Sequence, residues 1–363
     1  MRTKKKTADY DIIIVGAGPA GATLARCLPQ NYRILVIDKK PLNQEIDRKK
    51  MKCCGALLSE SAQKVMAEMG LNLPTELLIE PQTFALRVMD LNYPIERKYQ
   101  KHYYNMDRAK FENWLISLIP EGVERRGNTY VKDFHRCQNG VELIVKDRTC
   151  NKEKAITCKM VVAADGASSL FRKRLYPGID RNKYVSIQEW YENIGKINNY
   201  AAIIDEEITD YYSWLIPKAD AIVLGAAFDL DKTPGSPNQR FMKLKEKLEA
   251  KGLRFGKRIH REGCEIIRPD MQSIVTGNNR IAFIGEAGGF ISPSSSEGFS
   301  YAFRTARMLA EAIRRKGCNR HAEDYARRAQ KLKGNLLLRK LKASAMYAAR
   351  IRRMVLRSGF ASI

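Results

Sequence analysis

The 363-residue chain has no uninterrupted apolar stretch of the roughly 18 residues that a bilayer-spanning helix requires, so no segment reads as crossing a membrane. Histidine is scarce. His102, His135, His260 and His321 are the full set, and they share no ligand or general-base spacing, so no chemistry is assigned to them. The eight cysteines include no C-x-x-C pair and no metal-ligand spacing. No metal site is therefore expected, and a chain long enough to bury a sizeable core has no need of disulfides, which makes the reducing cytoplasm the expected compartment. Carboxylates are the minority charge, 40 Asp/Glu against 64 Lys/Arg, for a net charge of +24. The imbalance is local. From Ala312 onward fifteen Lys/Arg stand against Glu323 and Asp324, a surplus of +13 in 52 residues. Such a run is either a solvated helical face or a surface for anionic lipid headgroups or a phosphorylated substrate. No nucleic-acid module accompanies it, so nucleic acid is not an expected partner.

What the chain does have begins at once. Tyr10-Asp-Ile-Ile-Ile-Val15 is a short apolar strand that runs into Gly16-Ala17-Gly18-Pro19-Ala20-Gly21 and then a helical stretch. Glycines at G-x-G-x-x-G spacing between strand and helix are built to receive a pyrophosphate: Gly16 permits the tight turn, Gly18 the close approach of phosphate, and Gly21 close helix–strand packing. A second apolar run, Arg33-Ile-Leu-Val-Ile-Asp38, ends in a carboxylate 22 residues after Gly16, where an acid can hold an adenosine ribose hydroxyl. Met1-Arg-Thr-Lys-Lys-Lys ahead of the first run has the outline of a secretion signal, but cleavage there would destroy the first strand. There is no second G-x-G-x-x-G, so a nicotinamide nucleotide would bind only transiently, or a separate electron carrier would take its place.

Further along, Ser59 to about Met69 reads as a helix, and Asn105 to Leu118 as an amphipathic one, with Phe111, Trp114, Leu115 and Leu118 at i, i+3, i+4 and i+7. Val141–Val145 and Met160–Ala164 read as strands. Residues 180–275 alternate in the β manner, Arg280–Gly285 returns as a buried strand, a long helix follows to about Arg315, and the rest is helical and basic. Repeats and low-complexity linkers are absent.

Three separated motifs fall in order: Gly16–Gly21, Asp165-Gly166-Ala-Ser-Ser169-Leu-Phe-Arg172, and Gly285-Glu286-Ala-Gly-Gly289-Phe. Together they resemble the FAD-binding signature shared by aromatic hydroxylases and geranylgeranyl reductases. Four features resemble the reductase branch: Cys54-Gly55-Ala56 its Cys-Gly-Gly segment, Tyr212-Ser-Trp214-Leu-Ile-Pro217 its Tyr-x-Trp-x-Phe-Pro strand, Phe290-Ile-Ser-Pro293-Ser-Ser-Ser-Glu297-Gly298 its flavin-facing turn, and Asp107-Arg108 with Phe111 its helix start. Within that family the match resembles the colicin-M-resistance flavoproteins most, nearly to the C-terminus and including Met354-Val-Leu-Arg-Ser-Gly359.

The resemblance implies an α/β fold: a Rossmann-type FAD-binding domain of the glutathione-reductase and aromatic-hydroxylase type (1–70, 100–180 and 275–315), an inserted β-sheet substrate domain (71–99 and 181–274), and a helical basic C-terminus (316–363). It assigns the cofactor to Gly16, Ala17, Gly18, Pro19, Ala20, Gly21, Asp38, Lys39, Gly55, Ala56, Arg108, Asp165, Gly285, Glu286, Gly298 and Phe299. Asp38 would hold the adenosine ribose, Arg108 the pyrophosphate or ribityl region, and residue 286 a ribityl hydroxyl; Glu286 stands where most relatives carry Asp. Cys54 is either a catalytic group beside the flavin or a small buried thiol, and Cys53 a bystander. Tyr212, Trp214, Trp190 and Phe290 are either substrate wall or core, and Ser294–Ser296 read as turn and helix-capping residues rather than nucleophiles.

The activity implied is that of an FAD-dependent oxidoreductase that saturates C=C bonds of an isoprenoid or other lipid-like substrate, peripherally membrane-associated, with NAD(P)H or an electron carrier as reductant. A flavin monooxygenase of a small aromatic or polycyclic compound shares the fold, although hydroxylases place a His and a Pro-rich turn after the position of Gly285. A non-catalytic flavoprotein that sequesters a lipid carrier is the third reading.

Overall fold

The computed structural model describes residues 8–42, 52–179, 183–229 and 235–358; the basic N-terminal hexapeptide and Gly359 of the C-terminal resemblance lie outside them. Strand β1 (Tyr10–Val15) runs into α1 (Pro19–Cys27) and β2 (Ile34–Ile37), followed by β3 (Leu57–Ser59), α2 (Glu60–Glu68), β4 (Thr83–Asp90), β5 (Ile95–Asn105) and α3 (Arg108–Ser117). Next come β6 (Glu124–Arg126), β7 (Thr129–Cys137), β8 (Gly140–Asp147), β9 (Glu153–Ala163) and α4 (Leu170–Leu175). Then follow β10 (Lys183–Glu192), β11 (Tyr200–Ile204), β12 (Ser213–Lys218), β13 (Ala221–Asp229), α5 (Pro237–Ala250) and β14 (Arg258–Ile267). The chain closes with β15 (Ile281–Phe283), α6 (Phe299–Lys316), α7 (Ala322–Tyr347) and α8 (Ala349–Ser358).

The first sheet has β6, β2, β1, β9 and β15 side by side and parallel, with β7 and β8 continuing antiparallel from the N-terminal half of β9. Its central strands read Ile-Ile-Ile-Val and Ile-Leu-Val-Ile because both faces are covered, as parallel sheets require. The pleat divides them: Ile12, Ile14 and Val36 join the core beneath α1, α3 and α6, while Ile13, Val15 and Leu35 join a second core against β7, β8 and α4. The parallel strands all end at one edge, and there the glycine turn between β1 and α1 lies.

The second sheet runs β14-β10-β13-β12-β11-β4-β5-β3, antiparallel except between β11 and β4. It draws strands from residues 57–59, 83–105 and 183–267. Helix α5 closes its outer face, where Phe241, Leu244 and Leu248 are buried against Ile203, Leu215 and Phe228. The opposite face carries Trp214, Ile216 and Tyr200 toward the first sheet. Asp107 caps α3 by accepting from the N–H groups of Ala109 (2.8 Å) and Lys110 (3.1 Å), which fixes where Arg108 projects. Helix α7 bridges both halves: Tyr325 near its start donates to the carbonyl of Phe283 at the end of β15, and Tyr347 at its end reaches Ser294. Helix α8 is tied to β4 by a buried pair, Arg352 Nε to Asp90 Oδ2 at 2.7 Å. Among the described residues no helix is long and apolar enough to cross a membrane.

Candidate active site

The two sheets enclose a cavity of about 1080 Å³, above the roughly 300–1,000 Å³ of an ordinary small-molecule site. The first sheet and its helices line it with Gly16, Gly18, Pro19, Ala20, Asp38, Lys39, Lys40, Arg108 and Asp165; the second sheet lines it with Leu86, Val88, Tyr200, Ile204, Tyr212 and Trp214. The segments around Cys54, Gly285 and Gly298 complete the wall.

At the glycine turn, φ of +103° at Gly16 and a Cβ position 2.4 Å from the Ala164 carbonyl oxygen exclude any other residue, while a Cβ on Gly18 would meet open space. That open space faces the N-terminus of α1, where N–H groups and the positive dipole end await an anion. Asp38 braces the turn, accepting from Ala17 N–H at 2.6 Å and Lys40 N–H at 2.8 Å, and is buried. Asp165 also lines the cavity. One oxygen accepts from Leu170 N–H at 3.1 Å, whereas the other, Oδ1, is buried with no protein partner, and burial pushes the carboxyl up to about 6. An orphaned acceptor beside a glycine cradle with room for phosphate fits a dinucleotide whose hydroxyls or phosphates complete the hydrogen bonding.

Arg108 is held on three sides. Its guanidinium forms an i,i+4 pair with Glu112, lies 4.6 Å over the Phe299 ring, and donates to Cys54 Sγ at 3.6 Å. Glu112 is buried and also accepts from Lys40; the two cations overcome its burial penalty and hold its carboxyl down at about 2. Sequence reading passed over Glu112 and Lys40, although the Arg108–Glu112 spacing on one helix was the signal to follow.

Cys54 Sγ accepts a second hydrogen bond, from Ala56 N–H at 3.3 Å. Gly55 lies against the second sheet, where an added Cβ would sit 2.4 Å from Ile216 Cδ1. The Cys-Gly-Ala segment therefore bridges α3 and β12. Ala56 occupies the left-handed region at φ +49°, a conformation that favours the glycine of the resembling motif. Lys218, buried at the end of β12, clamps it there by donating to the carbonyls of Ala56 (3.3 Å) and Met106 (3.0 Å). Nothing in the sequence singled out Lys218.

Glu286 lines the cavity but engages protein partners: it forms an ion pair with Lys52 and accepts from Ile267 N–H at 3.2 Å. The extra methylene relative to Asp carries the carboxylate to Lys52. Gly285 is in the left-handed region at φ +56°, and Gly298 and Phe299 present the start of α6 to the cavity. Ser294–Ser296 do not cap that helix, contrary to expectation. Glu297 does, accepting from the N–H of Ser300 at 2.8 Å, because its carboxylate reaches the first turn while Ser292, Ser294 and Ser295 bond one another.

Tyr212 and Trp214 both face the cavity. Trp214 lies on its cross-strand partner Gly225, where a Cβ would come within 2.2 Å of the indole, and donates Nε1–H to Gln188 at 3.0 Å. Trp190 and Phe290 stand off the wall. Trp190 packs further along β10 and donates to Glu262 at 3.1 Å, and Phe290 is wholly buried in the helical core. Cys53 is buried, yet its carbonyl accepts from Cys264 Sγ at 3.5 Å and both residues line the cavity.

A parallel sheet with a glycine cradle, a buried carboxylate bracing that cradle and a second sheet closing over the same cavity define an FAD-dependent oxidoreductase fold. Residues 9–192 match the model of the FAD binding domain family. Over 355 residues the chain is 36% identical to Protein CbrA of Escherichia coli (strain HS), covering 98% of this chain and 94% of that protein. Protein CbrA of Shigella sonnei is 35% identical, with 98% of each chain covered. The chain belongs to the FAD-binding-domain family and, within it, to the relatives of CbrA. Among solved structures, a geranylgeranyl bacteriochlorophyll reductase-like protein of Thermoplasma acidophilum superposes with a TM-score of 0.79 at 17% identity, covering 93% of this chain and 88% of that one. The halogenase PltM superposes with a TM-score of 0.72 at 15% identity, covering 93% and 76%. Both are likenesses of fold.

Proposed function

We propose that the protein reduces C=C bonds of an isoprenoid or similar lipid-like substrate. The observation that carries this reading is the position of Cys54: its sulfur hangs from Arg108 on the cofactor side, while the next residue abuts Ile216 on the apolar wall. The glycine cradle, Asp38 and Arg108 would hold FAD, which, reduced by NAD(P)H or an electron carrier, would supply the hydride for one alkene carbon. Cys54 supplies the proton to the other. Two donors already point at its sulfur, from Arg108 and Ala56, so the S–H is left to point elsewhere. Solvent then returns the proton. Leu86, Val88, Ile204, Tyr212 and Trp214 offer an apolar wall that holds a hydrocarbon chain and excludes water.

The test is anaerobic. Flavin-loaded protein reduced with dithionite is mixed with polyprenyl lipids, and mass spectrometry looks for the gain of two hydrogens per bond. Substrate-dependent oxygen consumption with oxygen incorporated into product would replace this reading with a monooxygenase, whose fold is the same.

A further inference from the structure

Helix α7 leaves part of its surface without cover at the place where the cavity opens. Leu337, Leu338 and Leu341 are 43%, 67% and 61% exposed. They lie one, three and four residues apart, so they form one contiguous patch on the helix. Leu338 at the same time lines the cavity, alongside Arg339, Lys342 and Met346 of the same helix and Lys101 of β5. The exposed apolar patch is thus continuous with the apolar interior, and a basic rim surrounds the join. Along the helix itself the charge is one-sided, since no carboxylate follows Asp324 in the chain; Glu60 and Glu297, which also line the cavity, come from other elements. Partial desolvation, and then the neighbouring charges of Lys101 and Arg339, push Lys342 below the usual lysine range, so three cations crowd the rim. Clustered cations and projecting leucines complement one kind of surface, an anionic bilayer, in which leucines enter the acyl boundary while lysines and arginines stay among phosphates.

We propose that the Leu337–Lys342 edge of α7 docks the protein on an anionic lipid bilayer and sets the cavity mouth against the lipid phase, so that a lipid substrate enters without crossing water. The entry role rests on the reductase reading; the docking does not. The test uses the full-length, FAD-loaded protein and sedimentation with phosphatidylcholine vesicles prepared with and without phosphatidylglycerol. Binding is expected only with phosphatidylglycerol, weakening severalfold as salt rises from low to physiological strength. The double variant Leu337→Ser/Leu341→Ser, altered at exposed positions outside the cavity wall, is expected to bind vesicles at least tenfold more weakly with unchanged flavin content. Lys340→Glu is expected to lose about fivefold or more. Equal binding to neutral vesicles, absence of binding at low salt, or full binding by the double variant overturns the proposal. So does a concentration-dependent dimer that the double variant abolishes, because a second copy would then own the patch. Vesicle binding without alkene reduction would leave docking standing and remove the reductase reading; reduction of detergent-dispersed lipid without vesicle binding would do the reverse.

Discussion

Tyr347, the last residue of α7, donates its hydroxyl to the backbone carbonyl of Ser294 at 2.9 Å. The turn it grips is the one that leads to Gly298 and Phe299 on the cavity wall. Tyr212 holds the next residue, donating to the Ser295 carbonyl at 2.8 Å, and Tyr211 meets the Ser296 hydroxyl at 3.1 Å. Arg268 stacks over Tyr211 and Tyr347, 4.7 and 5.0 Å from their centroids. Ser296 is in the left-handed region at φ +50°, which costs a non-glycine residue energy, and three tyrosines offset that cost. The basic C-terminal helix and the cavity-lining turn are one mechanical unit.

Removing that single hydroxyl therefore has a readable consequence. Tyr347→Phe keeps the ring and its stacking but frees the Ser294 carbonyl, a loss of about 1 kcal/mol. FAD titrated into the apoprotein and followed by fluorescence should bind roughly fivefold more weakly. Unaltered affinity would show that the turn needs no grip from α7.

Cys54 separates chemistry from binding. Cys54→Ser retains a small polar side chain able to accept from Ala56 and Arg108, but a hydroxyl is a far weaker acid than a thiol. Flavin content and the rate of flavin reduction should stay as in the unaltered protein. Substrate-dependent reoxidation under anaerobic conditions should fall by roughly 10²–10⁴-fold, the usual worth of a positioned proton donor. Reoxidation at the original rate would reduce Cys54 to a packing residue.

These outcomes bear on what a sequence can reveal. The cradle was legible because most of its constraints are local: Gly16 is demanded by its own φ of +103° and Gly21 by the Gly16 carbonyl of the same strand–turn–helix, although the Ala164 carbonyl that crowds Gly16 comes from just past the end of β9. Strands β1 and β2 are apolar because both faces are covered. Tyr212 and Trp214 were legible as a shared face because strand alternation is local too. The partners that set the chemistry were not. Lys52 meets Glu286 across 234 residues, and Lys218 meets Met106 across 112, distances over which no periodicity or spacing carries information. Trp190 misled because it shares a face with Gln188 and Ser186 on β10, and only the position along the strand puts it beyond the wall. The serines misled because Glu297, next in sequence, caps the same helix with a longer arm.

Asp165 offers a pH signature. Burial raises its carboxyl to about 6 from 3.8. A carboxyl raised on folding keeps its proton in the native state while the unfolded chain gives it up, so stability falls as pH climbs from about 4 to 7. Asp165→Asn removes that dependence while keeping the acceptor for Leu170. Urea unfolding of the apoproteins should show the variant gaining about 2–3 kcal/mol relative to the unaltered protein between those pH values. Bound FAD should shrink the gain by giving the orphaned oxygen a partner. Parallel pH profiles for the two apoproteins would remove Asp165 from the account.

Glu112 works in the opposite sense. Its carboxylate, held down at about 2 from 4.5 by Arg108 and Lys40, contributes stability that is complete above about pH 5 and is lost as pH falls toward 2. Glu112→Gln leaves Arg108 and Lys40 buried beside one another without their shared counter-charge, which at neutral pH should cost about 3–5 kcal/mol. At about pH 3 more than half of the linkage contribution, roughly 3 kcal/mol in full, is already gone from the unaltered protein, so the gap between the two stabilities should narrow there by about 2 kcal/mol. Arg108 and Lys40 hold their protons throughout this window, since both are raised from already high values, and they add no slope of their own. With Arg108 unanchored, its contact with Cys54 should loosen as well, so alkene-dependent flavin reoxidation in Glu112→Gln should fall even at temperatures where the protein remains folded. A stability difference that is constant from neutral to acid pH would mean that the triad is held by packing and not by charge.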